Sequence, residues 1–223
     1  AKRLRRVVTV SANSLEDIVA DHSVPRERLH VVPVGVDQEI FRPLPEVERI
    51  PGRIITTASA DVTMKGLRYL LEAVAKLRTE RDVELVVIGR LKEGGTSDHT
   101  IGQLGLRDAV TFITGVPEER IIELYSEAQL AVVPSLYEGF SLPAIEAMAC
   151  GVPLVATTGG ALPEVAGKDG ETALLVPPGD SDALASAIRR ALDDDELRAR
   201  IGAAGRQRVI ERWTWRHTAK GTV

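Results

Sequence analysis

L-A-V-V-P-S-L-Y-E-G-F-S-L-P-A-I-E-A-M-A-C-G-V-P-L-V-A-T-T, residues 130–158, is the stretch of sequence that decides the fold. Residues 130–133 form a short apolar run closed by a proline, which favours a strand buried on both faces of a parallel sheet. A helix is predicted to begin near Pro143, because proline is tolerated in the first helical turn, and to end at Gly151. A second apolar run, residues 154–156, follows. The order strand, loop, short helix, strand predicts a parallel α/β sheet.

The loop between the first strand and the helix is the candidate site. It is expected at the carboxyl edge of the sheet, where open α/β sheets bind ligands, and the free N–H groups of a helix start attract anions there. Glu146 is predicted to lie in the first helical turn and to point back towards the loop that holds Glu138. Two carboxylates and several N–H donors would then converge, which suits a ligand with both hydroxyls and phosphates, such as a nucleotide sugar. For either glutamate alone, a solvated loop residue or a partner of the helix dipole is the alternative.

The segment E-G-F-S-L-P-A-I-E, residues 138–146, with A-M-A-C-G-V-P-L-V-A-T-T-G-G after it, resembles the Glu-x7-Glu motif of retaining glycosyltransferases of family four. These group 1 glycosyltransferases have the GT-B fold. The resemblance implies that Glu146 binds ribose hydroxyls, that Glu138 binds sugar hydroxyls, and that Lys65 and Glu138 act in catalysis. The donor-binding residues that it implies are Ser59, Lys65, Gly66, Glu138, Gly139, Phe140, Ser141, Leu142 and Glu146.

Lys65 stands in S-A-D-V-T-M-K-G, residues 59–66, between a predicted strand and its helix. The resemblance to the family's lysine-glycine pair makes this lysine the candidate that neutralises the departing diphosphate. An arginine usually precedes the lysine by five positions in that pattern, whereas this sequence has Ala60. One cation therefore stands where two are typical.

Two further segments bear on the site. Gly159 and Gly160, with Pro163 and Glu164 after them, resemble the family's Gly-Gly-x-Pro-Glu turn with one extra residue. Residues 193–195 read Asp-Asp-Asp and formally satisfy a metal motif, but they fall between two helical patterns, so a solvated helix cap is expected. We predict no cofactor and no metal, with a nucleotide-diphosphate sugar as substrate.

The bulk properties are those of an ordinary soluble chain, with 44% hydrophobic and 27% charged residues among 223. The single cysteine, Cys150, excludes an internal disulfide and fits a reducing compartment. A formal charge of −4 gives no sign of nucleic-acid binding. No apolar run reaches the roughly 20 residues that cross a bilayer. A cytoplasmic location is expected, and the basic cluster Lys2, Arg3, Arg5 and Arg6 leaves open a peripheral membrane contact beside the alternative of a solvated strand edge.

The alternation of strands and helices from residue 53 onward predicts a doubly wound parallel sheet, the Rossmann-like half of a GT-B fold. By the resemblance, residues 1–40 are a remnant of an N-terminal acceptor domain, made of α/β pieces without a sheet of their own. The proline-rich residues 41–52 are the linker, and residues 53–223 are the nucleotide-sugar-binding domain. The first strand of this domain is predicted at residues 54–58.

We interpret the chain as the donor-binding half of a retaining glycosyltransferase, which would bind a nucleotide sugar but not transfer the sugar when isolated. Two alternatives remain at this stage: a nucleotide-sugar epimerase of the same architecture, and a non-catalytic nucleotide-binding module. Neither the base, the sugar nor the acceptor can be deduced from these motifs.

Overall fold

The structure is a computed structural model that describes residues 4–58 and 61–222. The strands of these residues are, in chain order, β1 Val7–Thr9, β2 Leu29–Val31, β3 Ile50–Thr57, β4 Glu84–Ile88, β5 Val110–Ile113, β6 Ala128–Val133, β7 Leu154–Thr157 and β8 Leu174–Val176. Their α-helices are α1 Ala12–His22, α2 Leu67–Arg78, α3 Thr96–Gln103, α4 Glu118–Glu127, α5 Leu142–Ala149, α6 Leu162–Ala166, α7 Ser181–Asp193, α8 Asp195–Arg212 and α9 Trp215–Thr222. None of the helices in these ranges is long and apolar enough to cross a membrane.

Six strands form one parallel sheet in the order β5-β4-β3-β6-β7-β8. In the centre, Ile54 of β3 is in register with Leu85 of β4 on one side and Leu130 of β6 on the other. All four residues of β7 are buried, as expected for a strand that is covered on both faces. The predicted doubly wound α/β sheet is confirmed.

Each face of the sheet has its own apolar core. On one face α4, α5 and α6 pack with the end of α8, and Ile145, Met148 and Val209 are fully buried there. On the other face α2, α3 and α7 pack with the start of α8, and Leu70, Leu77 and Ile188 are fully buried. Helix α8 therefore contributes to both cores.

Arginines of α8 fasten this helix to three others. Arg206 donates to the carbonyl at the end of α5, Arg208 to two carbonyls of α6 and Arg198 to two carbonyls near the end of α7. The last carbonyls of a helix have no partner inside the helix, so these guanidinium groups satisfy acceptors that would otherwise need water.

The structure corrects several boundaries that the sequence predicted. Strand β3 begins at Ile50, inside the predicted linker, so the predicted strand at residues 54–58 starts too late. Helices α3 and α9 were not predicted, because neither presents an apolar stripe with a cap signal that marks its ends. The expectation that residues 1–40 have no sheet of their own is wrong, since β1 and β2 pair in a two-stranded parallel sheet. Helix α1 is capped by Ser11, whose side chain accepts from the Ser14 N–H.

Candidate functional site

The strand order reverses between β3 and β6, and the candidate residues follow these two strands. Lys65 comes after β3, and Glu138 comes after β6. After β3 the chain adds strands on one side of the sheet, and after β6 it adds them on the other side. This reversal leaves a crevice at the carboxyl ends of the two strands, which is where doubly wound sheets bind ligands. The predicted position of the site is therefore the topological switch point of the observed sheet.

Lys65 ends a 3₁₀ turn, Thr63–Lys65, and the left-handed Gly66 joins this turn to α2. Gly66 has φ +66°, and a Cβ at this position would lie 1.9 Å from the carbonyl oxygen of Pro134. The Leu136 N–H donates to the Met64 carbonyl at 2.8 Å. Only glycine allows the turn to approach the loop after β6 this closely, and the approach brings Lys65 to that loop.

Lys65 and Glu138 meet in an ion pair. The Lys65 Nζ lies 2.9 Å from the Glu138 Oε1, and the Ser135 hydroxyl donates to the same oxygen at 2.7 Å. The Glu138 side chain is 11% exposed and that of Lys65 is 34% exposed. An ammonium has three donors, and since one is used here, Lys65 has donors left for a second anion.

The loop that carries Glu138 is braced by the predicted glycine turn. A Cβ on Gly159 would lie 2.4 Å from the Leu136 carbonyl oxygen, and one on Gly160 would lie 2.3 Å from that of Glu138. The Ala161 N–H donates to the Glu138 carbonyl at 2.8 Å. The two glycines are thus needed for contact between the two loops. The sequence had indicated a glycine turn near the site at these positions.

The start of α5 presents unpaired donors. The N–H groups of residues 139–142 have no acceptor among the described residues. Ser141 holds φ +101°, and its buried hydroxyl also has no hydrogen-bond partner within residues 4–58 and 61–222. The ring of Phe140 is buried against Trp213 in an edge-to-face contact at 5.3 Å, whereas Leu142 is exposed. Phe140 therefore anchors the loop in the core and leaves its backbone N–H for a ligand.

Glu146 belongs to α5, whereas Glu138 belongs to the loop before this helix. Glu146 is the fifth residue of α5, so its predicted place in the first helical turn is wrong, because the helix begins at Leu142. Its Oε2 accepts a hydrogen bond from the Tyr125 hydroxyl at 3.3 Å. The two glutamates have separate hydrogen-bond partners, Lys65 and Ser135 for Glu138 and Tyr125 for Glu146, and their convergence on one ligand stays a prediction.

The environment of Glu146 changes its acidity. Burial raises its pKa, the hydrogen bond from Tyr125 opposes this shift, and the nearby charge of Glu118 adds to it. Burial likewise raises the pKa of the Cys150 thiol to about 12, so this thiol is neutral beside Glu146 at ordinary pH. Burial and the neighbours of Glu146 thus set the fraction of this carboxylate that is ionised at a given pH.

The Asp-Asp-Asp segment does not form a metal site. The Asp194 side chain accepts from the Leu197 N–H at 2.8 Å and caps α8, as predicted. Asp193 pairs with Arg81, and Asp195 pairs with Arg198. Elsewhere in the described part of the chain, no group of three or more His, Cys, Asp or Glu residues is placed to hold a metal ion.

Two predicted positions cannot be placed. Ser59, an expected donor-binding residue, and Ala60, the departure from the family's arginine, lie outside the described residues. The same holds for Lys2 and Arg3 of the basic cluster, so the peripheral membrane contact stays a prediction.

Sequence reasoning missed the contact of α1 with the site. The Glu164 carboxylate accepts the Ala12 N–H at 2.9 Å and the Asn13 N–H at 3.4 Å, at the start of α1. The Ser14 hydroxyl donates to the Gly139 carbonyl at 3.1 Å, and Tyr137 donates to a carboxylate in the first turns of α1. These partners are more than a hundred residues apart in the chain, so no local pattern could have indicated them.

Comparison with known proteins identifies the class. The sequence profile of the family described as "Glycosyl transferases group 1" matches residues 43–208, and the chain belongs to this family. The chain is 47% identical over 223 residues to the MMP alpha-(1->4)-mannosyltransferase of Mycolicibacterium hassiacum, covering all of this chain and 54% of that protein. It spans about half the length of the curated relatives that it matches.

Solved structures show the same fold. The C-terminal domain of the group 1 glycosyl transferase LpcC from Francisella tularensis has 30% identity and a TM-score of 0.70, over 81% of this chain and 99% of that one. Anabaena Alr3699/HepE, solved in complex with UDP, has 22% identity and a TM-score of 0.87, over all of this chain and 64% of that one. The Rossmann-like half of a GT-B fold is therefore the architecture of this chain.

Proposed function

We propose that this chain is the donor-binding half of a retaining glycosyltransferase, and that it binds a nucleotide-diphosphate sugar at the edge between β3 and β6. One observation carries the proposal: a partly exposed ammonium, Lys65, lies beside a nearly buried carboxylate, Glu138, next to the free N–H groups at the start of α5. This combination offers donors to phosphates and an acceptor to hydroxyls, which a nucleotide sugar would use together.

The proposed roles follow from the partners of each group. Lys65 and the N–H groups of residues 139–142 stabilise the diphosphate, which gains charge as the bond from the anomeric carbon to its oxygen breaks. Glu138 orients the sugar through hydroxyls, and Glu146 accepts hydrogen bonds from the ribose. In this proposal, the acceptor oxygen attacks the face that the diphosphate leaves, so the configuration is retained.

We further propose that binding needs no metal. Positive charge at the diphosphate would come from Lys65 and from the dipole of α5, which begins shortly after Glu138 in the chain. Transfer also requires an acceptor site, which we assign to the part of the longer relatives that this chain does not match. The isolated chain is therefore expected to bind the donor without transferring the sugar.

Calorimetric titration tests this function. UDP, GDP, UDP-glucose and GDP-mannose are titrated in excess chelator, and glucose and mannose serve as matched controls without nucleotide. UDP is included because a protein of this fold was solved with it. At least one nucleotide is expected to bind more than tenfold more tightly than either free sugar, because the phosphates and ribose supply most of the charged contacts.

Two results would contradict the proposal. Binding of no nucleotide, with or without magnesium, would favour the alternative of an interaction module. Binding that is lost in chelator and restored by magnesium would refute the metal-independent site while leaving donor binding in place.

A further inference from the structure

Tyr125 lies behind the site, between the end of β3 and α5. It is 2% exposed, and its hydroxyl is 3.1 Å from the Thr57 Oγ1 and 3.3 Å from the Glu146 Oε2. Thr57 is the last residue of β3, and Tyr125 belongs to α4. The Tyr125 hydroxyl thus links three elements, α4, β3 and α5.

The direction of these hydrogen bonds follows from the number of protons. An ionised carboxylate can only accept, so the single phenolic proton of Tyr125 is donated to Glu146. The Thr57 hydroxyl then donates to the Tyr125 oxygen. Burial raises the pKa of Tyr125 well above its usual value, so the phenol keeps this proton at any ordinary pH.

We propose that Tyr125 is a positioning residue for the donor site, which holds one oxygen of Glu146 so that the other is available to ribose hydroxyls. This inference rests on the proposed function, which assigns the ribose to Glu146. A glutamate side chain has three rotatable bonds, and holding it in one orientation before the ligand arrives reduces the entropy lost on binding. Packing alone does not require the hydroxyl, since phenylalanine would fill nearly the same buried volume.

The same contact favours the charged form of Glu146. Burial and the charge of Glu118 both raise the pKa of Glu146, and the hydrogen bond from Tyr125 opposes them. The Cys150 thiol, which also interacts with Glu146, stays neutral because burial raises its pKa to about 12. Loss of the phenolic donor therefore raises the pKa of Glu146 further, and a smaller fraction is ionised at a given pH.

The test compares Tyr125→Phe with the parent chain. Affinities are measured from acid to neutral pH for UDP and for 2′,3′-dideoxyuridine diphosphate, and for the corresponding guanosine pair. The ratio of the two affinities isolates the ribose hydroxyls, because the phosphates titrate alike in both ligands. In Tyr125→Phe this ratio is expected to fall about two- to tenfold near neutral pH, as for loss of one hydrogen bond. The pH below which the remaining ribose preference disappears should move upward.

Matched variants separate positioning from packing. Thr56→Val removes a neighbouring hydroxyl that is 2% exposed and has no partner among the described residues, and it should leave the ratio unchanged. Glu146→Gln should lower the preference and abolish its pH dependence, because the neutral amide keeps an acceptor oxygen but loses the charge and does not titrate. Thr57→Val, which removes the other end of the chain of hydrogen bonds, should lower the ratio less than Tyr125→Phe and serves if the phenylalanine variant fails to fold.

Three outcomes would overturn the inference. The first is a ribose preference and pH profile in Tyr125→Phe that equal those of the parent chain. If Tyr125→Phe does not fold, the same result in Thr57→Val would overturn the inference. The second is an equal loss of affinity for both ligands of a pair, which indicates packing alone. The third is a full ribose preference in Glu146→Gln, which removes the assigned role of Glu146 while nucleotide binding itself, and with it the donor-binding function, still stands.

Discussion

Glu138 and Glu146 belong to one motif but face different chemistry. Glu138 is held by Lys65 and Ser135, and it lies beside the donors of the α5 start. Glu146 is held by Tyr125 from α4. The seven residues between them include the end of the loop and the start of α5. Glu138 therefore extends from the loop, and Glu146 extends from the helix. Their separate partners predict separate effects on ligands.

Replacing each glutamate individually should affect the binding of a different part of the ligand. Glu146→Ala is expected to weaken nucleotide diphosphate and nucleotide sugar alike, by about 1.5–3 kcal/mol, because both carry the ribose that hydrogen-bonds to a charged group. Glu138→Ala should weaken only the nucleotide sugar. Calorimetry with each ligand measures both losses. Equal losses of nucleotide diphosphate affinity in the two variants would refute this division of roles.

At the scale of elements, the start of α1 is bound to the first turn of α6. The Glu164 carboxylate accepts hydrogen bonds from two N–H groups at the N-terminus of α1. The helix dipole is positive at this end, so the negative charge of Glu164 adds to the stabilisation. Ser14 and Tyr137 extend this contact to the loop of the site. Docking of α1 therefore depends on the same short segments that shape the crevice between β3 and β6.

Glu164→Gln should loosen α1. The neutral amide keeps one acceptor oxygen but loses the charge, and the expected loss in the free energy of unfolding is about 0.5–1 kcal/mol. Thermal unfolding followed by circular dichroism measures it at low and high salt. Glu171→Gln is the matched control, because Glu171 is an exposed loop residue whose ion-pair partner is 3.6 Å away. A loss no larger than that of the control would show that Glu164 does not hold α1.

At the scale of the whole molecule, both large cores belong almost entirely to residues 41–222. The core on the α2 face has no member before residue 54, and that on the α5 face has one buried member, Val36, before residue 41. Residues before 41 have a small cluster of their own, Leu15, Val24 and Leu29. The apolar contacts change near residue 40, whereas Phe41 and Leu44 of the predicted linker pack in the core on the α5 face. The predicted domain boundaries at residues 40 and 52 stay a prediction.

Residues 41–223 alone are therefore expected to fold. The chain should unfold cooperatively in denaturant and retain nucleotide binding, with some loss of stability because the contacts of Glu164 with α1 are removed. Solved coordinates exist for a C-terminal domain of the family that covers 81% of this chain, which agrees with an independent unit of this size. Circular dichroism and calorimetry on the shortened chain check both properties. An unfolded product would show that residues 1–40 are required by the sheet.

Several features of the protein were determined by the sequence alone. Runs such as residues 130–133 and 154–156 specify buried parallel strands because their hydrophobicity is continuous, and Pro143 and Gly151 mark the helix between them through local backbone geometry. The placement of Lys65 at the same edge of the sheet as the loop after β6 was also indicated, since both follow strands of a parallel sheet. The ion pair of Lys65 with Glu138 was not predicted. The family resemblance rests on the same short segments.

Other features were decided only by the tertiary structure. Three contacts are of this kind: Tyr125 with Glu146, Phe140 with Trp213, and Glu164 with the start of α1. The residues next to each partner in the sequence give no indication of the contact. Such contacts depend on the twist of the sheet and on the packing of helices across its faces. Both of these are determined by interactions throughout the chain. A local pattern can specify a strand or a cap because the energies involved are local, whereas the orientation of Glu146 is set by a phenol 21 residues away.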